Sequence, residues 1–197
     1  MSSKNSGGVK ATTSGTRMEV KTRSLIEEEF GRLGFHKNEL PVHLAAPKKF
    51  SSASYFVNPN NLEILVLRGK DFHKYLELNS ISEQFETRTK RLFPDLILIN
   101  FKEKKFIVLE IKNQNGAGSV DEKLQTTHYK QFYYSHFAKL LNFDFKLYWF
   151  LGGKYINSNK DRYSSIFSYM QNLNAEVFIF DSDPKASVET LVNNLIN

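Results

Sequence analysis

Cysteine is absent from this chain of 197 residues, so neither disulfides nor a thiolate zinc site can hold its fold, as suits a reducing cytoplasm. Long apolar runs are absent as well. Nothing reaches the roughly seven consecutive apolar residues of a secretory segment or the roughly 20 of a membrane span, and a cytoplasmic protein with no membrane partner is expected. Histidine is scarce: His36, His43, His73, His128 and His136 show no metal-ligand spacing on a common element. Acidic residues are outnumbered, 21 against 27 Lys and Arg, giving a net charge of +6. That balance suits a polyanionic partner without identifying one. Hydrophobic residues make up 41% of the chain, enough for one core that buries roughly 70% of the unfolded surface.

Residues 1–22 are rich in Ser, Thr, Gly and Lys and read as a disordered basic leader, with 23–197 forming a single domain. Ser24 to Glu27 has the form of a capping box, and Ile26, Phe30 and Leu33 make one apolar stripe on a helix ending near Gly34. Strands are expected at Ser54–Val57 and Glu63–Leu67, followed by a short helix over Asp71–Leu76. Further along come a strand at Phe145–Leu151 closed by Gly152-Gly153, a helix over Asp161–Asn172, a strand at Glu176–Phe180, and a terminal helix with Val188, Leu191 and Leu195 inward. The order is that of an α/β sandwich around a mixed sheet.

The chemistry concentrates between Phe93 and Lys112. Pro94-Asp95 opens the apolar run Leu96–Asn100, polar turn residues follow, and Phe106–Leu109 continues into Glu110-Ile111-Lys112, so the segment reads as a hairpin. Side chains alternate along a strand: Glu110 and Lys112 point one way and Ile111 the other. A carboxylate and an ammonium at the end of an apolar strand need a partner or a metal. The plain alternative is an edge hairpin carrying a surface salt bridge.

Pro94-Asp95 with Glu110-Ile111-Lys112 resembles the PD-(D/E)xK nuclease superfamily. Glu-x-Lys also occurs at Glu19/Lys21 and Glu103/Lys105, but only Glu110/Lys112 ends an apolar strand after a partner that begins Pro-Asp. The resemblance implies a restriction-endonuclease-like core, a central mixed β-sheet flanked by helices. It implies catalysis by Asp95, Glu110 and Lys112 and a Mg2+ ion, for which Mn2+ can substitute, held by Asp95, Glu110 and Ile111. An N-terminal helix in this superfamily often adds an acid, here Glu28 or Glu29; the competing reading is that these charges complement the helix macrodipole. Gly118–Gln125 is similar to a segment that follows the catalytic strand in type II restriction endonucleases. Ser119 and Glu122 fit helix caps there, while Lys123, Gln125 and Lys130 fit phosphate or base-edge contacts. Gln125 and Tyr129 also match Gln-x-x-x-Tyr of the exonuclease-like branch, one turn apart and facing alike.

The basic clusters at Lys48-Lys49 and Arg68-Gly69-Lys70 have aromatic neighbours and suit a nucleic-acid groove or solvated loops equally well. Arg88 and Arg91 precede Asp95 where a substrate backbone would pass, and Gln114, Ser119, Tyr129 and Lys154 complete the DNA-contact set. The expectation that follows is a homodimeric type II restriction endonuclease acting on double-stranded DNA beside a cognate methyltransferase. A repair or junction-resolving nuclease and a catalytically silent DNA-binding module are the alternatives.

Overall fold

A computed structural model describes residues 7–45, 50–81, 91–116 and 120–197. In chain order its elements are α1 (Gly7–Arg32), β1 (His36–Asn38), α2 (Val42–Ala45), β2 (Ser54–Val57), β3 (Glu63–Arg68), α3 (Gly69–Leu78), β4 (Leu96–Asn100), β5 (Lys105–Asn113), α4 (Val120–Gln125), α5 (Thr127–Leu140), β6 (Asp144–Gly152), α6 (Lys154–Ser158), α7 (Lys160–Asn172), β7 (Ala175–Ile179) and α8 (Pro184–Ile196). Among the described residues seven strands join one sheet in sequence order. Neighbours are antiparallel from β1 to β5 and parallel from β5 to β7. The fold is therefore the α/β arrangement the residue pattern implies, a mixed sheet flanked by helices. Among the described residues, no helix is long and apolar enough to cross a membrane.

Both faces of the sheet are covered, which is why its central strands are almost continuously apolar. One face carries Ile64, Val66, Leu98, Ile107, Leu109 and Phe150 under α1 and α8. The other carries Leu65, Leu67, Ile97, Val108, Trp149 and Leu151 under α3, α5 and α7. β5 lies where the two pairing modes meet. Its antiparallel partner β4 sets Leu96 opposite Leu109, and its parallel partner β6 sets Glu110 beside Trp149.

From Gly7 on, the start of the chain departs from the expectation of a disordered leader over 1–22, whose residues 1–6 lie outside the described residues. It is helical there, and α1 continues through Ser24, which is an exposed residue inside the helix rather than its cap. The reason is an apolar stripe longer than Ile26 and Phe30 alone. Met18, Thr22, Ile26 and Phe30 recur every fourth residue and are all buried on the sheet. The segment after Ser119, where helix caps are expected, forms two helices, α4 and α5, divided at Thr126. There Thr126 Oγ1 donates to Lys123 O (2.7 Å) and Thr127 Oγ1 to Leu124 O (2.6 Å), hydroxyl bonds that compete with the helical ladder.

Candidate active site at the carboxyl end of β5

Three elements bring the ionisable groups together. Asp95 lies just before β4, and the register places it across from Glu110 near the end of β5. Its Oδ2 accepts a hydrogen bond from the Ile111 amide at 2.6 Å, which fixes the carboxylate against the strand. Lys112, two residues beyond Glu110 and on the same face, donates to Asp95 Oδ2 (2.6 Å) and to the Ile111 carbonyl (2.9 Å), and pairs with Glu110 Oε2 (3.1 Å). The fourth group comes from α5. Lys130 Nζ lies 2.6 Å from Glu110 Oε2 and 4.8 Å from the centre of the Trp149 ring, while Lys112 is 5.9 Å from that ring.

These charges are largely withdrawn from water. Glu110 is 2% exposed, so ordinary surface pairing does not describe it. Burial pushes the Lys112 ammonium down, but the Glu110 and Asp95 carboxylates outweigh it and hold its pKa above the ordinary lysine value. Lys130 goes the other way: burial, joined by repulsion from Lys112, outweighs Glu110 and lowers it. The Tyr134 phenol is raised, by burial first and then by the Glu110 charge.

Glu28 and Glu29, expected as the accessory acid, are not part of this group. Glu29 is buried and paired with Arg32 (2.8 Å), and Glu28 is exposed in a groove between α1 and α8. The α1 acid that feels the Asp95 charge is Glu19 instead. It lies about 14 Å nearer the helix start at the rise of 1.5 Å per residue. Burial raises its carboxyl and the Asp95 charge raises it further, against Arg68 and Lys112. Arg68, at the end of β3, reaches Glu19 at 3.2 Å. The clue to Glu19 was its place beside Met18, on the buried stripe of α1.

The expected DNA contacts divide. Arg91, Lys123, Gln125 and Lys154 are exposed. Lys130 is committed to Glu110, and its ammonium points inward rather than toward a phosphate. Gln114 is buried, because its amide donates to Gly152 O (2.8 Å) and its carbonyl accepts from Tyr155 N (3.1 Å), which draws it beneath α6. Its side-chain amide has no hydrogen-bond partner. Tyr129, on α5, is half-buried with its hydroxyl enclosed, whereas Gln125 ends α4 and is exposed. Arg88, Ser119 and Lys48-Lys49 lie outside the described residues.

Two glycines shape the rim. Gly153 has φ +99°, and a Cβ there would run into the Gln114 carbonyl oxygen and come within 2.5 Å of Asn113 Oδ1. A Cβ on Gly69 would stand 2.5 Å from the Pro94 carbonyl oxygen. Only glycine lets α6 and α3 approach β5 and the Asp95 loop this closely.

The donor set suits a hard divalent cation. Asp95 Oδ2, Glu110 Oε2 and Ile111 O converge on the single atom Lys112 Nζ, and the second Glu110 oxygen, Oε1, is buried with no hydrogen-bond partner. Two carboxylates and a carbonyl, with the remaining positions left to solvent or substrate oxygens, is a set that Mg2+ accepts. Among the described residues no group of three or more His, Cys, Asp or Glu side chains could hold an ion, so such a site would rest on these two carboxylates. No family model matches the chain, and no curated protein matches it.

Proposed function

We propose that the chain is a Mg2+-dependent endodeoxyribonuclease of the PD-(D/E)xK kind, a type II restriction enzyme that cuts double-stranded DNA at a short sequence. The observation that carries this reading is the convergence of Asp95, Glu110 and the Ile111 carbonyl on one cationic position, beside a lysine on the same strand. An edge hairpin with a surface salt bridge accounts for it poorly, since Glu110 is 2% exposed and held by two ammonium groups.

Asp95, Glu110 and Ile111 O would hold the metal, with Mn2+ an acceptable substitute. When bound, it polarises the scissile phosphate and eases deprotonation of the attacking water. Lys112 donates to that water and meets the negative charge that develops on the phosphate. One unit charge at about 4 Å and an effective dielectric near 20 is worth roughly 4 kcal/mol. Lys130 acts through Glu110: by pairing with Oε2 it fixes the carboxylate in one orientation. Glu19 restrains the side of the site facing α1. Lys123 and Lys154 are exposed cations that can meet the DNA backbone, and Arg91 is exposed before Asp95. As a type II enzyme the protein would work as a homodimer on a two-fold symmetric site, with a cognate methyltransferase protecting host DNA.

A junction-resolving or repair nuclease is the second reading, favoured by the exposed Phe93 ring two residues before Asp95. Incubation with bacteriophage DNA and with branched DNA, with and without Mg2+, tests both. Discrete fragments that depend on Mg2+ and vanish in Asp95→Asn support the restriction enzyme, and cutting confined to branched DNA supports the second reading. Binding without cutting under any divalent cation refutes both and leaves a DNA-binding module.

A further inference from the structure

Beside Asp95 runs a groove of about 660 Å3 whose walls include Ser51, Ser52, Arg68, Lys70 and Phe93. That volume is in the range of pockets that take a flat organic ring system, roughly 300–1,000 Å3. Phe93 is 52% exposed, yet its position is braced. Its ring meets that of the buried His73 edge-on, with centres 4.9 Å apart at 71°. His73 Nε2 donates to the preceding carbonyl, Leu92 O, at 2.9 Å. Gly69 abuts the same stretch from α3, where an added Cβ would stand 3.0 Å from Phe93 Cβ. A large apolar ring held out toward water gives the fold little, since what it leaves exposed contributes no burial.

Its neighbours suggest what covers it. Arg68 and Lys70 bring two cations to the same groove, Arg68 while paired with Glu19 on its wall at 3.2 Å, and Ser51 and Ser52 are fixed there because their main-chain amides and hydroxyls donate to the buried Asp71 at 2.9 to 3.3 Å. Aromatic face, cations and hydroxyls together recognise a nucleotide: the ring stacks on the base while the cations meet its phosphate. A base inside a continuous duplex has both faces covered by its neighbours and cannot use such a ring.

We infer that Phe93 is a stacking platform for one unstacked nucleobase of the DNA strand entering the site, with the adjoining phosphate between Arg68 and Lys70. This rests on the nuclease reading above and deepens it, because it makes an exposed base beside the scissile bond part of what is recognised. The base comes either from DNA already unpaired, at an end or a flap, or from a base step opened when the protein binds.

The test compares wild type, Phe93→Ala and Phe93→Trp in EDTA, which prevents cutting, on a continuous duplex and on the same duplex with a single-stranded flap. The chain's one tryptophan, Trp149, is fully buried, so an exposed indole at position 93 is spectroscopically distinct. Phe93→Ala should bind flap DNA roughly tenfold or more weakly, while Phe93→Trp should keep wild-type affinity and lose emission as a base stacks on it. Quenching by the flap alone assigns the base to pre-existing unpaired DNA. Quenching by both substrates assigns it to a step opened on binding, and Phe93→Ala then weakens both. The inference is overturned if Phe93→Ala binds both substrates like wild type, or if Phe93→Trp is quenched by neither. If wild type cuts with Mg2+ while either of those results holds, only the platform falls; if wild type binds no DNA at all, the nuclease reading falls with it.

Discussion

Lys112→Met removes the ammonium while keeping most of the side chain, and its effect can be worked from distances. Lys112 Nζ lies 2.6 Å from Asp95 Oδ2 and 3.1 Å from Glu110 Oε2, so at an effective dielectric near 20 the gross attractions are roughly 6 and 5 kcal/mol. Against them stands the desolvation of an ammonium that is 17% exposed, a cost of several kcal/mol. Removing one partner of such a pair typically costs about 3–5 kcal/mol, and because Lys130 still serves Glu110 and the Ile111 amide still serves Asp95, the lower end, about 3 kcal/mol, is expected. Urea unfolding in EDTA at neutral pH measures it. Added Mg2+ should then stabilise the variant more than the wild type, since the ammonium no longer competes for the same oxygens; a hundredfold excess over Kd contributes about 2.7 kcal/mol. DNA cutting should nevertheless remain down by about a hundred- to thousandfold. Equal unfolding midpoints in EDTA, or equal stabilisation of both proteins by Mg2+, would refute the idea that Lys112 occupies a cation position, and unimpaired cutting would refute the site.

Glu19→Gln should change neutral-pH stability by no more than about 1 kcal/mol, because it relieves repulsion from Asp95 while losing a half-exposed pair with Arg68. It should lower metal affinity by about tenfold or more in a Mg2+ titration, and unchanged affinity would remove Glu19 from the site. The raised Glu19 carboxyl favours folding below its unfolded pKa near 4.5 and loses that contribution as pH rises through the folded value, so the variant's stability should decline less between acid and neutral pH. At Asp71 burial works to raise the carboxyl, but hydrogen bonds from Ser51, Ser52 and Lys74 outweigh it and hold it below its ordinary value. Its contribution is therefore present above the unfolded pKa near 3.8 and lost as pH falls through the folded value; Asp71→Asn should cost roughly 1.5–3 kcal/mol at neutral pH and flatten the acid limb of the stability curve. Gly153→Ala meets both a φ of +99° and the Gln114 carbonyl and should cost at least about 1–3 kcal/mol by thermal unfolding; a wild-type midpoint would mean that α6 shifts freely away from β5.

The hairpin was legible because side-chain alternation along a strand fixes which side chains share a face, so the sequence alone pairs Glu110 with Lys112 and turns Ile111 away. The four-residue turn at 101–104 and the helix with Val188, Leu191 and Leu195 inward followed from equally local patterns. The site was less legible wherever it depends on contacts between distant segments. Glu19 escaped because Met18 and Thr22, the residues that bury its helix, look unremarkable in a polar stretch, and the stripe shows only when their spacing is continued into Ile26 and Phe30. Lys130 was visible as a cation, but the choice between a phosphate outside and Glu110 inside is made by how α5 docks on Trp149. The short elements β1, α2 and α6, at three, four and five residues, carry too little periodicity to be found by pattern.

The burial of Met18 has a practical side. A preparation shortened to begin at residue 23, the boundary that composition alone invites, would lose Glu19 together with the thioether that packs against Gly152. Activity assays on such a trimmed protein would report on a molecule that lacks both.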